Sequence, residues 1–147
     1  MRQARKSEQG TALVEIAMVL PLLAVLFLAT IDLGIAIREH QILQNAAREG
    51  ARFSALPRNW INPLVNPGAS EGAIKDRVIE YLAQENITVD ANSISVDQQH
   101  PITIGALTVW ASEITVRYDR SLLIAGGPLL PFATVTLTGQ SLFRNLY

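Results

Sequence analysis

Glu15 stands at the mouth of an apolar run, residues 16–31, that only Pro21 and Thr30 interrupt. A carboxylate at the centre of a membrane helix costs about 2.5–3.5 kcal/mol, so an acid this close to hydrocarbon is a candidate for ion pairing. A local explanation stands beside that one: in the first turns of a helix the dipole favours an anion and headgroup water still reaches it. His40 and His100 are 60 residues apart, and His100 is expected in a loop before Pro101. Neither has carboxylates at metal-ligand spacing along the chain, so no metal is expected. Glu39, His40 and Glu49, set among arginines, read as a solvated helix face. With no cysteine, thiolate metal sites, disulfides and cysteine nucleophiles are all excluded. A phosphate loop, dinucleotide fingerprint, nucleophile elbow and H-E-x-x-H are missing too. The expectation is a protein without catalytic residues or cofactors, whose work is binding.

The elements that carry these residues follow from hydropathy. Twelve basic and thirteen acidic side chains leave a formal charge of −1, too little for an electrostatic grip on nucleic acid. Mean hydropathy is nonetheless +0.23, and the apolar residues are concentrated at one end. Residues 16–37 contain one acid, Asp32, and as a helix they reach about 33 Å, enough to cross a bilayer. Arg2, Arg5 and Lys6 precede the run and the next base is Arg38, which places the N-terminus in the cytoplasm and the rest outside. A signal peptide would have a shorter apolar core and a small-residue cleavage site. A buried core helix would need a larger domain to wrap it. A single membrane span is the best reading.

The helical pattern continues to residue 56. Ile31, Ile35, Ile42, Ala46 and Phe53 form one stripe, while Arg38, Gln41, Asn45, Arg48 and Arg52 lie opposite. Small residues recur four apart in Thr30 with Gly34, Ala46 with Gly50, and Ala47 with Ala51. Such pairs admit a second helix at close range. Equally, Ala46, Ala47, Gly50 and Ala51 can seat the helix on the chain's own sheet. Pro21 has no N–H for the carbonyl of Ala17, so it bends or loosens the helix at that turn.

Residues 57–68, PRNWINPLVNPG, read as a linker. Ser70 caps a second helix whose stripe is Ile74, Val78, Tyr81 and Leu82, ending near Asn86. Strand-like runs follow at 93–96, 108–119 and 133–143. In the second, Trp110, Ile114, Val116 and Tyr118 share a face. The loop with Gly126, Gly127, Pro128 and Pro131 carries Leu129, Leu130 and Phe132, which either dock on a partner or, the preferred reading, fold back into the core. Together these give an α+β fold: a long N-terminal transmembrane and amphipathic helix, then a small domain with one helix and a three- or four-stranded antiparallel sheet, one face covered and one wet.

The stretch from Gly10 to Glu15, GTALVE, follows a basic leader and opens an apolar helix. It resembles the processing site of type IV prepilins. With Pro21 six residues beyond the glutamate, and with QNAAREGAR at 44–52, the N-terminal half resembles the TadE-like pseudopilins of the tight-adherence (Tad, or Flp) pilus system. ITVRYDRSLL, a Pro-Leu-Leu-Pro stretch and TVTLTGQSLFR extend the resemblance more loosely to the C-terminus. One departure is Ile16, where the major Flp pilins usually carry tyrosine or phenylalanine. The resemblance implies a pilin-like fold and cleavage by a prepilin peptidase between Gly10 and Thr11. The new Thr11 ammonium would pair with a neighbour's Glu15 and set axial register. It also implies as partners the other Tad pseudopilins, the major Flp pilin, the inner-membrane assembly platform and the lipid bilayer, with no nucleic acid. Pro21 itself reads either as a harmless bend or as a soft point that lets the subunit leave the bilayer during assembly, and Thr30, Gly34, Ala46, Ala47, Gly50 and Ala51 are the candidate helix packing interface. The chain divides on this reading into a leader (1–10), a transmembrane helix (11–37), its amphipathic extension (38–56), a linker (57–69) and a periplasmic α+β domain (70–147). The subunit would initiate, cap or prime a pilus used for surface adherence. The alternative is an unprocessed single-pass anchor bearing a periplasmic scaffold or receptor domain.

Overall fold

The computed structural model describes residues 2–56, 69–123 and 134–145, with side chains from residue 10 onward. The linker expected at 57–68 and the loop expected at 126–132 lie outside the described residues.

Helix α1 spans Arg2–Ala55 and runs unbroken through Pro21 and Gly34. It starts earlier than residue 11 because residues 2–9, RQARKSEQ, are rich in strong helix formers. Helix α2, Glu71–Gln84, is capped by Ser70, whose hydroxyl accepts from the Ala73 N–H. Just past its C-terminal cap, Asn86 takes φ +60, a conformation that asparagine tolerates among non-glycine residues. A short 3-10 turn, Ala91–Ser93, leads into strand β1, Ile94–Ile104. Strands β2, Leu107–Ser121, and β3, Thr134–Arg144, complete a three-stranded sheet in the order β1-β2-β3, with β1 and β2 antiparallel. The α+β class and the sheet are as expected. The strands are longer than the hydropathy alternation predicts, and β1 takes in His100, which the sequence places in a loop. The β1–β2 turn is Gly105-Ala106, with Gly105 at φ +63 as the first position of a type II′ hairpin demands.

The residues form two compact units, Met1–Ile35 with Ser121–Thr134, and Ala36–Arg120 with Val135–Tyr147. In the first, the apolar side chains of α1 face outward: Met18 is 78% and Leu22 70% exposed. Among the described residues one helix, Gly10–Ala55, is long and apolar enough to cross a membrane, and its most apolar stretch is unburied. Water does not leave such a surface bare, so this helix fits a membrane anchor.

In the second unit the lower half of α1 and helix α2 pack with the sheet. Ile42, Leu43, Ala46, Ala47 and Ala51 of α1 join Ile74, Val78 and Leu82 of α2 and Ile94, Ile114 and Val116 of the sheet in one core. The stripe of α1 divides as its spacing predicts, and Arg38, Gln41, Asn45, Arg48 and Arg52 are exposed. Trp110, expected beside Ile114 and Val116, is exposed near the hairpin end of β2. At Gly139 of β3 the helix and the strand approach closely. A Cβ there would overlap the carbonyl carbon and oxygen of Leu43, so the helix backbone rests directly on the strand.

Candidate functional site

Glu15 is exposed on α1 and, with Ile16, Val19, Leu20 and Leu23, lines a shallow groove along one face of the helix. These residues fall at i, i+1, i+4, i+5 and i+8, so the carboxylate tops an apolar strip one to two side chains wide. That arrangement can receive a cation and an apolar helix together. Gly10 and Thr11 sit within the helix, and nothing of the described unit would meet a Cβ on Gly10.

Farther along, Thr30 donates its hydroxyl to the carbonyl of Leu26 at 2.9 Å, so this polar group is satisfied within its own helix. Gly34 has open space where a side chain would be. The lower small residues behave differently. Ala46, Ala47 and Ala51 are fully buried in the chain's own core, and a Cβ on Gly50 would meet Val78 Cγ2 at 2.6 Å. Their burial corresponds to the seating of the helix on its own domain. At Thr30 and Gly34 the described helix surface is open.

Asp32, read only as an acid within the apolar run, has a partner. It is buried, and its two carboxylate oxygens accept the N–H of Leu123 at 2.9 and 3.1 Å. The acid thereby fastens the chain leaving β2 to α1 across 91 positions of sequence. A charge in an apolar helix is accommodated by hydrogen bonding to a backbone donor.

Glu39 corrects another expectation. It lies not on a solvated face but against the nearly buried Arg120, with Nε of the arginine 2.9 Å from Oε2. The helix turns this residue toward the end of β2, and the low dielectric there makes each charge depend on the other. Glu49 is nearer the expected picture, half-exposed and 3.0 Å from Arg77 of α2. The Glu49 hydrogen bond is the main reason that the Arg77 guanidinium is held above its ordinary pKa. His40 is exposed, as expected.

At the base of α1 is a closed ring of hydrogen bonds. Gln98 donates to the Ser54 hydroxyl at 3.1 Å, Ser54 to Ser112 at 2.7 Å, Ser112 to Oδ1 of Asn145 at 2.7 Å, and Asn145 returns to the Gln98 carbonyl at 2.9 Å. Gln98 also reaches the carbonyl of Ala69 at 2.8 Å. Helix end, both hairpin strands and C-terminal segment are thereby joined.

The same bulge that turns Gln98 inward reorganises the outer face. Asp97 pairs with Glu113 and His100 with Ala111, so two residues of β1, Gln98 and Gln99, oppose one of β2. In a regular strand residues three apart point to opposite faces, whereas the extra residue puts Asp97 and His100 on the same one. His100 Nδ1 then lies 3.5 Å from Asp97 and 3.1 Å from Glu113, which corrects for His100 the expectation of no carboxylates at metal-ligand spacing. Sequence spacing could not have found this cluster, because the bulge and the strand register make it.

Residues 10–52 match the family model described as TadE-like protein, 43 of the 147 residues. No curated protein and no solved structure matches the chain. The matched segment begins at Gly10, carries Glu15 and Pro21, and ends at Arg52, the last residue of QNAAREGAR. Through that helix, the chain is similar to the TadE-like proteins.

Proposed function

We propose that the chain is a minor pseudopilin of a Tad pilus, acting by binding rather than catalysis. The observation that carries this reading is the coincidence of the TadE-like match, which begins at Gly10, with a helix whose apolar residues are unburied. A prepilin peptidase cuts between Gly10 and Thr11 on the cytoplasmic side of the bacterial inner membrane. Residues 11–37 hold the subunit in the bilayer with its α+β part in the periplasm. The helix then enters a pilin-type bundle, with Thr30 and Gly34 at a close crossing, and the outer part initiates, caps or primes the filament. Pro21 is the soft turn that eases extraction from lipid. The other Tad pseudopilins, the major Flp pilin and the assembly platform are its partners.

The groove beside Glu15 supplies the physical logic. Cleavage creates an ammonium at Thr11, and an unpaired carboxylate entering hydrocarbon is costly unless a cation meets it. The Glu15 carboxylate of one subunit and the new terminus of its neighbour satisfy each other and fix the axial stagger. Mass spectrometry of the chain purified from cells with an active prepilin peptidase tests the route. A mature chain beginning at Thr11 is expected. A chain retaining residues 1–10 would instead make it an unprocessed anchor.

A further inference from the structure

We propose that Asp97, His100 and Glu113 form a binding site for a divalent first-row transition cation, with zinc the closest match to the donor set. The site lies on the outer face of the β1–β2 hairpin. One imidazole nitrogen and two carboxylate oxygens, one from each residue, lie within 4.8 Å of one another. Zinc bonds to nitrogen and oxygen of about 2.1 Å place tetrahedral ligands about 3.4 Å apart. His100 Nδ1 stands 3.5 Å from Asp97 Oδ2 and 3.1 Å from Glu113 Oε2, so two edges of that tetrahedron already have the right length. Mixed nitrogen and oxygen donors suit a borderline cation better than calcium or magnesium, which prefer oxygen alone.

The strand pairing supplies the reason for a cation. Asp97 and Glu113 are direct cross-strand partners, and like charges directly opposite each other destabilise a hairpin. A cation held between them reverses the sign of that contact. The donors are also held from behind: Asp97 Oδ1 accepts the Gln99 N–H at 3.0 Å, and Gln140 of β3 donates to Glu113 Oε1. Each carboxylate thus keeps its other oxygen for the ion, as outer partners do in metal sites. Three protein ligands on an accessible face leave the fourth position to water or to a donor from a partner.

Zinc titration of the untagged full-length chain in detergent micelles at neutral pH tests the site, by calorimetry and by thermal unfolding. One zinc per chain is expected, with a rise in unfolding temperature as the folded state is bound selectively. His100→Gln and Asp97→Asn should each weaken binding by about tenfold or more and abolish the thermal shift, and Gln140→Ala should weaken it by about tenfold. His40→Gln should bind as the unaltered chain does. The proposal is overturned if the unaltered chain shows no saturable zinc binding, or if folded His100→Gln binds zinc undiminished. If His100→Gln does not fold, undiminished binding by Asp97→Asn overturns it equally.

Discussion

Single atoms decide much at the two glycines of greatest interest. Gly139 has no room for a methyl group, because its place is taken by the backbone of Leu43, and a backbone does not step aside as a side chain does. Gly139→Ala should therefore destabilise the chain by about 1–3 kcal/mol, read from denaturant unfolding of the solubilised protein. Gly34 is the opposite case, since nothing lies within 4 Å of an added Cβ. Gly34→Ala should leave the isolated chain as stable or up to about 1 kcal/mol more so, from helix propensity alone. If Gly34 lies at a helix crossing in the pilus, the same change lowers piliation, and the two measurements separate a role in folding from one in assembly. Equal piliation would remove Gly34 from the crossing.

Among the elements, α1 has two surroundings. Its upper residues carry apolar side chains that no other described element covers, while its lower residues are locked onto α2 and the sheet. The locks include polar ones. The ring of Gln98, Ser54, Ser112 and Asn145 is satisfied as a whole, so removing one member strands others in the interior. Ser112→Ala leaves the Ser54 hydroxyl without its acceptor and Asn145 Oδ1 without its donor. A loss of about 1–3 kcal/mol is expected, together with faster amide exchange at Asn145, whose N–H bonds the carbonyl of Trp110. Exchange unchanged there would mean that the C-terminal segment is held without the ring.

On the scale of the whole molecule, the formal charge of −1 averages two different pieces. The first ten residues carry three bases and one acid, and their removal leaves −3. Basic residues are therefore in excess ahead of the apolar run, and the remainder is mildly acidic. With no cysteine, the α+β part is held by its core and its polar ring rather than by disulfides. Glu15→Gln tests the assembled state. If the carboxylate pairs with a neighbour's terminus, cross-links between this subunit and other pilus proteins in the membrane should fall severalfold while the level of the chain is unchanged. Cross-linking equal to that of the unaltered chain would refute the register role.

By itself the sequence determined the apolar helix, its amphipathic continuation, the capped second helix and the strands. Each of these is written in a local period of hydropathy or in a cap a few residues away. It also carried the TadE-like signature, which is a pattern along one helix. The three-dimensional arrangement alone decided what Asp32, Glu39 and His100 do. The Leu123 N–H, the Arg120 guanidinium and the Glu113 carboxylate that meet them come from elsewhere in the chain, brought by strand pairing, a bulge and the crossing of α1 over the sheet. Hydropathy has no memory of such distances, so a buried acid and a solvated one look alike until the fold supplies the partner.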